Sequence, residues 1–135
     1  MQNYPKWDNG VTHSTSHLEF GKSAELVACQ FLLKKGLRLL TTNYRCYYGE
    51  IDIIMQDSDD IVFVEVRGRG SNKYGSALES INKSKIKKII KTATHFLQRK
   101  KLLYQVTSRF DVVAINQLAS KWDIDWIKNA FWEEV

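Results

Sequence analysis

The chain has 135 residues, 44% of them hydrophobic, with a single proline and no low-complexity run, which excludes a disordered chain and leaves room for one well-cored domain. It has no apolar stretch of the length that spans a bilayer and no signal-peptide pattern, so the expectation is a cytoplasmic protein without a membrane partner. The net charge of +5 is unevenly spread. Residues 67–101 hold 11 Lys/Arg against one acid, and the rest of the chain carries an excess of acids. That polarity fits a polyanion-binding surface, nucleic acid above all, and equally a solvated helix face.

Residues 1–15 show no periodicity and read as a flexible N-terminal tail, leaving residues 16–135 as a single domain. His13 and His17 have metal-compatible spacing, but no Cys or further His lies near them, which favours a non-ligand reading. Two cysteines, Cys29 and Cys46, make no disulfide framework. Ser16-His17-Leu18-Glu19 fits a capping box and starts a helix to about Lys35, with Ala24, Val27, Ala28, Phe31 and Leu32 facing inward and Gly36 closing it. Glu25 lies at the edge of that stripe, where it can face the helix–sheet groove or solvent.

A first strand is expected over Leu37–Tyr44, then a turn over Asn43–Gly49. Gly49–Ile54 and Ile61–Arg67 read as two buried strands joined by the tight turn Asp57-Ser58-Asp59-Asp60. Each carries one carboxylate, Asp52 in the first and Glu65 in the second, and antiparallel pairing sets the two side by side. Alternation in the second strand puts Ile61, Phe63, Glu65 and Arg67 on one face and Val62, Val64 and Val66 on the other, so the strand is expected to be covered on both sides.

Gly68–Gly75 is a glycine-rich basic loop without the spacing of a nucleotide-binding fingerprint. A second helix is expected over Leu78–Lys101, with Ile86, Ile89, Ile90, Ala93, Phe96 and Leu97 inward and Lys87 and Lys91 outward. Lys85 falls on the border of the stripe, where it either lies along the sheet or snorkels to water. Arg109–Ile115 is a further apolar strand. Lys121–Ile127 reads as a half-exposed edge strand whose Trp122 and Trp126 offer a route to a homodimer, and Asn129–Val135 as a terminal turn or helix. The sum is an α/β fold in the order α-β-β-β-α-β-β, with a mixed central sheet flanked by helices.

Phosphodiester hydrolysis calls for a hard divalent cation held by oxygen donors. Asp52 and Glu65, with the backbone carbonyl of Val66, are a plausible donor set for Mg²⁺ or Mn²⁺, and Arg67 is placed to hold a phosphate. A buried structural salt bridge has the same Glu-x-Arg pattern, so both readings stand. Arg67, Arg69, Lys73, Lys83, Lys87, Lys88 and Lys91 are the candidate nucleic-acid contacts.

Five segments resemble the YraN-like family of uncharacterised bacterial proteins: Gly21–Ala28, Asn43-Tyr44-Arg45, Gly49–Ile54, Phe63–Arg67 and Arg109–Val112. Trp126–Phe131 extends the resemblance to residues 18–131. The family is placed among PD-(D/E)xK nuclease-like proteins, close to archaeal Holliday-junction resolvases. The resemblance therefore implies a restriction-endonuclease-like core and metal-dependent DNA cleavage. By position, Glu25 takes the place of the first-helix acid, Asp52 that of the metal-binding aspartate and Glu65 that of the acid before the lysine. Arg67 stands where the superfamily has lysine, and an arginine stays protonated at working pH. The resemblance leaves two outcomes: Lys85 takes over the lysine's part from the helix, or the fold binds nucleic acid without cutting it.

Overall fold

The computed structural model describes residues 16–69, 81–118 and 121–132, without the side chains of residues 16–21, 69, 117 and 118. Helix α1 spans Ser16–Lys34 and is followed by the strands β1 (Arg38–Cys46), β2 (Gly49–Asp57) and β3 (Asp60–Arg69). Helix α2 (Lys83–Arg99) then leads to β4 (Ser108–Leu118) and β5 (Lys121–Phe131). The order α-β-β-β-α-β-β is the one expected from the sequence. The strands lie side by side in chain order in one sheet. β1–β2, β2–β3 and β4–β5 are antiparallel hairpins, and β3–β4 is parallel, because α2 carries the chain across between them.

The helices cover opposite faces, and this sorts the two sets of β3 side chains. Ala24, Ala28 and Leu32 of α1 pack with Ile53, Met55, Val62, Val64, Val113 and Ile115. Ile89, Ala93, Phe96 and Leu97 of α2 pack with Ile54, Ile61, Phe63 and Val112. Phe63 lies edge-on to Phe96 and stacks on Phe110 at 5.4 Å. β3 is thus buried on both faces, as its continuous apolar run requires. Cys29 is a small core residue, and burial pushes its thiol up to about 11. Among the described residues both cysteines are free.

Gly36 closes α1 with φ 99°, and the bonds Gly36 N–H to Leu33 and Leu37 N–H to Leu32 form the expected glycine-ended cap. The same bonds end α2, but there Lys101 holds the left-handed position at φ 59°.

Four expectations need correction. The Asn43–Gly49 segment is not a broad turn. β1 runs on to Cys46, pairing Tyr44 with Ile51 and Arg45 with Glu50, and only Tyr47 and Tyr48 form the reversal. Asn43 sits within the strand at φ 50°, a conformation its short amide side chain tolerates, and the register shift of β1 lies earlier, between Leu39 and Thr41. Helix α2 starts at Lys83 rather than near Leu78, because the Asn82 side chain caps it by accepting from the Lys85 N–H at 2.8 Å. Ile86 and Ile90 are only half-buried, and Thr92 takes a fully buried place on the helix.

The last correction concerns β5, which does not stop at Ile127. It continues to Phe131, whose ring stacks on Phe110 at 5.1 Å, while Asn129 at φ 51° takes up the register shift. The expected tail (residues 1–15), the Ser16 capping box and the body of the Gly68–Gly75 loop lie outside what the structure describes. So do Lys73 and the side chain of Arg69. Among the described residues no helix is long and apolar enough to cross a membrane.

Candidate metal and phosphate site

The site lies where β2 and β3 part. Their ladder pairs Ile53 with Val64 and goes no further, so one more step would set Asp52 opposite Glu65. In place of that ladder step, the Asp52 carboxylate accepts the Val66 N–H at 2.9 Å. Its Oδ2 therefore satisfies an amide that strand pairing leaves over. Asp52 also shares a side-chain hydrogen bond with Glu65. Burial first, and the Glu65 carboxylate second, push Asp52 up to about 8, against the opposing pull of the Val66 amide. Near neutral pH Asp52 therefore tends to keep its proton.

Glu65 is the more deeply enclosed of the two at 5% exposure, and two cations reach it. The Lys85 Nζ lies 3.3 Å from its Oε2, and the Arg67 Nη1 lies 3.8 Å from the same atom. The Asn82 cap sets the first turn of α2 so that Lys85 comes down from the helix, while Arg67 comes along the strand. Lys85 thus faces the sheet rather than only water, although 43% of its side chain stays exposed.

Glu25 of α1 stands close enough to feel both Glu50 and Glu65, but it is held apart by Asn43. The Asn43 Nδ2 donates to Glu25 Oε1 at 3.2 Å and to Glu50 Oε2 at 3.1 Å, and Arg45 binds Glu50 at 3.3 Å. Burial raises the Glu25 carboxyl, and the Asn43 bond works against that. The structure thus gathers Glu25, Asp52, Glu65, Arg67 and Lys85 at one end of the sheet. Among the described residues, however, no three acids, histidines or cysteines converge as a metal-binding group. The sequence reading missed Asn43 as the clamp between Glu25 and Glu50; its only trace was a turn-prone residue inside a strand pattern.

The donor chemistry fits a hard cation of the Mg²⁺ or Mn²⁺ type. A cation could take the place of the proton that burial and Glu65 keep on Asp52, and such ions keep several waters and need few protein ligands. Lys83, Lys87, Lys88 and Lys91 are exposed along α2.

A second polar cluster was also not foreseen. Asp111 of β4 is fully buried, yet its carboxylate accepts from Arg109 Nε at 3.1 Å, Trp126 Nε1 at 2.9 Å and the Asn129 N–H at 2.9 Å. Arg109 reaches on to Asp57 at 2.9 Å. This network ties β4, β5 and the β2–β3 turn together, and its geometry is structural.

Relatives of known sequence lie close. A UPF0102 protein of Pseudomonas fluorescens is 46% identical over 116 residues, 86% of this chain and 95% of the relative. One of Stutzerimonas stutzeri is 48% identical over 111 residues, 82% of this chain and 92% of the relative. Among solved structures, "The structure of Pyrococcus Furiosus SfsA in complex with Ca2+" aligns with a TM-score of 0.40 at 12% identity. It covers 84% of this chain and 63% of that one, and so loose a likeness bears on neither fold nor chemistry. The model of the uncharacterised protein family UPF0102 matches residues 24–115, which contain α1 from Ala24 onward, the acid pair and the basic helix, and the chain belongs to that family, the YraN family.

Proposed function

We propose that this protein is a metal-dependent DNA endonuclease, resolvase-like in acting on DNA structure rather than on sequence. The observation that carries the reading is the approach of Lys85 to Glu65 at 3.3 Å, beside Asp52, whose pKa burial raises. Asp52, Glu65 and the Val66 carbonyl would hold Mg²⁺ or Mn²⁺. When bound, the cation neutralises phosphate charge and lowers the pKa of a water.

The chain's own residues do the rest. Arg67, planar and permanently charged, binds a phosphate oxygen and cannot take a proton. Lys85 brings a point charge to the same place from the helix, where it can follow the phosphate as charge builds up on it. Glu25 shapes the field from the rim and is fixed there through Asn43. Lys83, Lys87, Lys88 and Lys91, with Arg69 and Lys73, follow the DNA backbone, which makes binding salt-sensitive and weakly sequence-selective.

The test is cleavage of branched, single-stranded and duplex DNA with Mn²⁺ or Mg²⁺, comparing the wild type with Asp52→Asn, Glu65→Gln and Lys85→Gln. Cleavage that survives the first two substitutions and EDTA removes this site from the reaction. A second reading starts from the same contact together with that of Arg67. Lys85 and Arg67 already neutralise Glu65, which suits a fold that binds nucleic acid without cutting it. It predicts salt-dependent binding and no metal-dependent product.

A further inference from the structure

Away from the acid pair, a groove of about 480 Å³ opens between the first half of α2 and the end of β5. Lys83, Lys87 and Lys91 line it together with Ile86, Ile90 and Trp132. Trp132 is 62% exposed, unusual for the largest apolar side chain, and no acid lines the groove among the described residues. On the other flank of α2 the β1–β2 reversal lies close, with Gly49 near Lys88 and Thr92. Its two tyrosines are exposed and meet edge to face at 5.6 Å. Lys91 joins the two flanks, since it lines the groove and its Nζ also lies 5.8 Å from the centre of the Tyr48 ring.

The result is one band across α2 with lysines between two aromatic ends, from Trp132 through Lys87 and Lys91 to Tyr48 and Tyr47. Its tyrosine end runs straight into β2, where Asp52 lies four residues beyond Tyr48, on the order of 13 Å along an extended chain.

We propose that this band is a platform for single-stranded DNA, on which unpaired bases stack while the lysines hold their phosphates. The proposal rests on the DNA reading above and narrows its substrate. The DNA would carry an unpaired segment, such as a flap or splayed arm, within a few nucleotides of the bond beside Asp52. A duplex keeps its base faces covered and meets only the lysines, whereas a free base gains about 1–3 kcal/mol on an aromatic ring. Apolar side chains, an exposed tryptophan and lysines lining one groove together match that ligand better than a plain basic helix face matches duplex DNA.

The experiment measures binding of a labelled oligo-dT strand and of a duplex of equal length by fluorescence anisotropy, with Asp52→Asn as the background so that nothing is cut. Trp132→Ala should weaken oligo-dT binding by roughly 5- to 100-fold and change duplex binding by less than about twofold. Trp132→Phe should restore most of the loss, and Tyr48→Ala should add to it. Lys87→Gln and Lys91→Gln should each lower the salt slope by about one for both ligands. An unchanged oligo-dT affinity in Trp132→Ala, at an unchanged melting temperature, overturns the platform, as does an equal loss for both ligands. If duplex binds normally in that case, only the platform falls. If neither ligand binds at low salt, the DNA reading fails with it.

Discussion

Replacing Asp52 with asparagine should stabilise the metal-free protein, although it removes an ionisable residue from the candidate site. In the folded chain Asp52 is raised from its ordinary 3.8 to about 8, so between those values the native state binds a proton that the unfolded chain has lost. Stability from this group is complete below pH 3.8 and is lost as pH rises to about 8. At pH 7 the accumulated cost has a ceiling of about 4 kcal/mol, at 1.36 kcal/mol for each pH step beyond the unfolded value. The nearby Lys85 and Arg67 and local relaxation reduce this, so a gain of about 1–3 kcal/mol is expected from Asp52→Asn. Asparagine keeps the acceptor for the Val66 N–H and loses the repulsion from Glu65.

For a chain of this size that gain is on the order of 5–10 °C in melting temperature. Differential scanning fluorimetry in EDTA from pH 4.5 to 8.5 would show the two proteins converging at acid pH and separating as pH rises. Mn²⁺ should raise the wild-type melting temperature at pH 8 and leave Asp52→Asn nearly unmoved. A variant that is less stable than the wild type at pH 8, or one whose difference does not vary with pH, refutes the reading of Asp52 as an acid whose pKa burial raises.

Three further outcomes follow from other parts of the molecule. Asp111→Ala leaves Arg109, Trp126 Nε1 and the Asn129 amide without their buried acceptor, and should cost about 3–5 kcal/mol in urea unfolding. Phe131→Ala removes the ring stacked on Phe110 and should cost about 3 kcal/mol, which would confirm by the same assay that β5 extends past Ile127. Lys101→Gly relieves the left-handed residue that ends α2 and should stabilise the protein by about 0.5–1 kcal/mol.

The acid pair shows how far pattern alone carries. Asp52 and Glu65 could be set side by side from two apolar runs and a short acidic turn, because a tight hairpin leaves little choice of register. The helix–strand order, the two-sided burial of β3 and the Gly36 cap were legible for the same reason: each depends on local periodicity or a local backbone preference. Strand ends were less legible. β5 reaches Phe131 because of a stack with Phe110, 21 residues away, and β1 passes through Asn43 because the side chain bridges Glu25 and Glu50.

What the sequence by itself determined is the fold's order, the two carboxylates and the basic helix that follows them, since all three are written in short-range pattern. Only the tertiary structure decided which residues share a space. It brought Lys85 to Glu65, buried Asp111 within a network with Arg109, Trp126, Asn129 and Asp57, and set Trp132 and Tyr48 on either side of one helix. Those pairings follow from the crossover of α2 between β3 and β4, which brings distant segments together. Long-range placement of that kind depends on how whole layers pack, and no local window of sequence contains it.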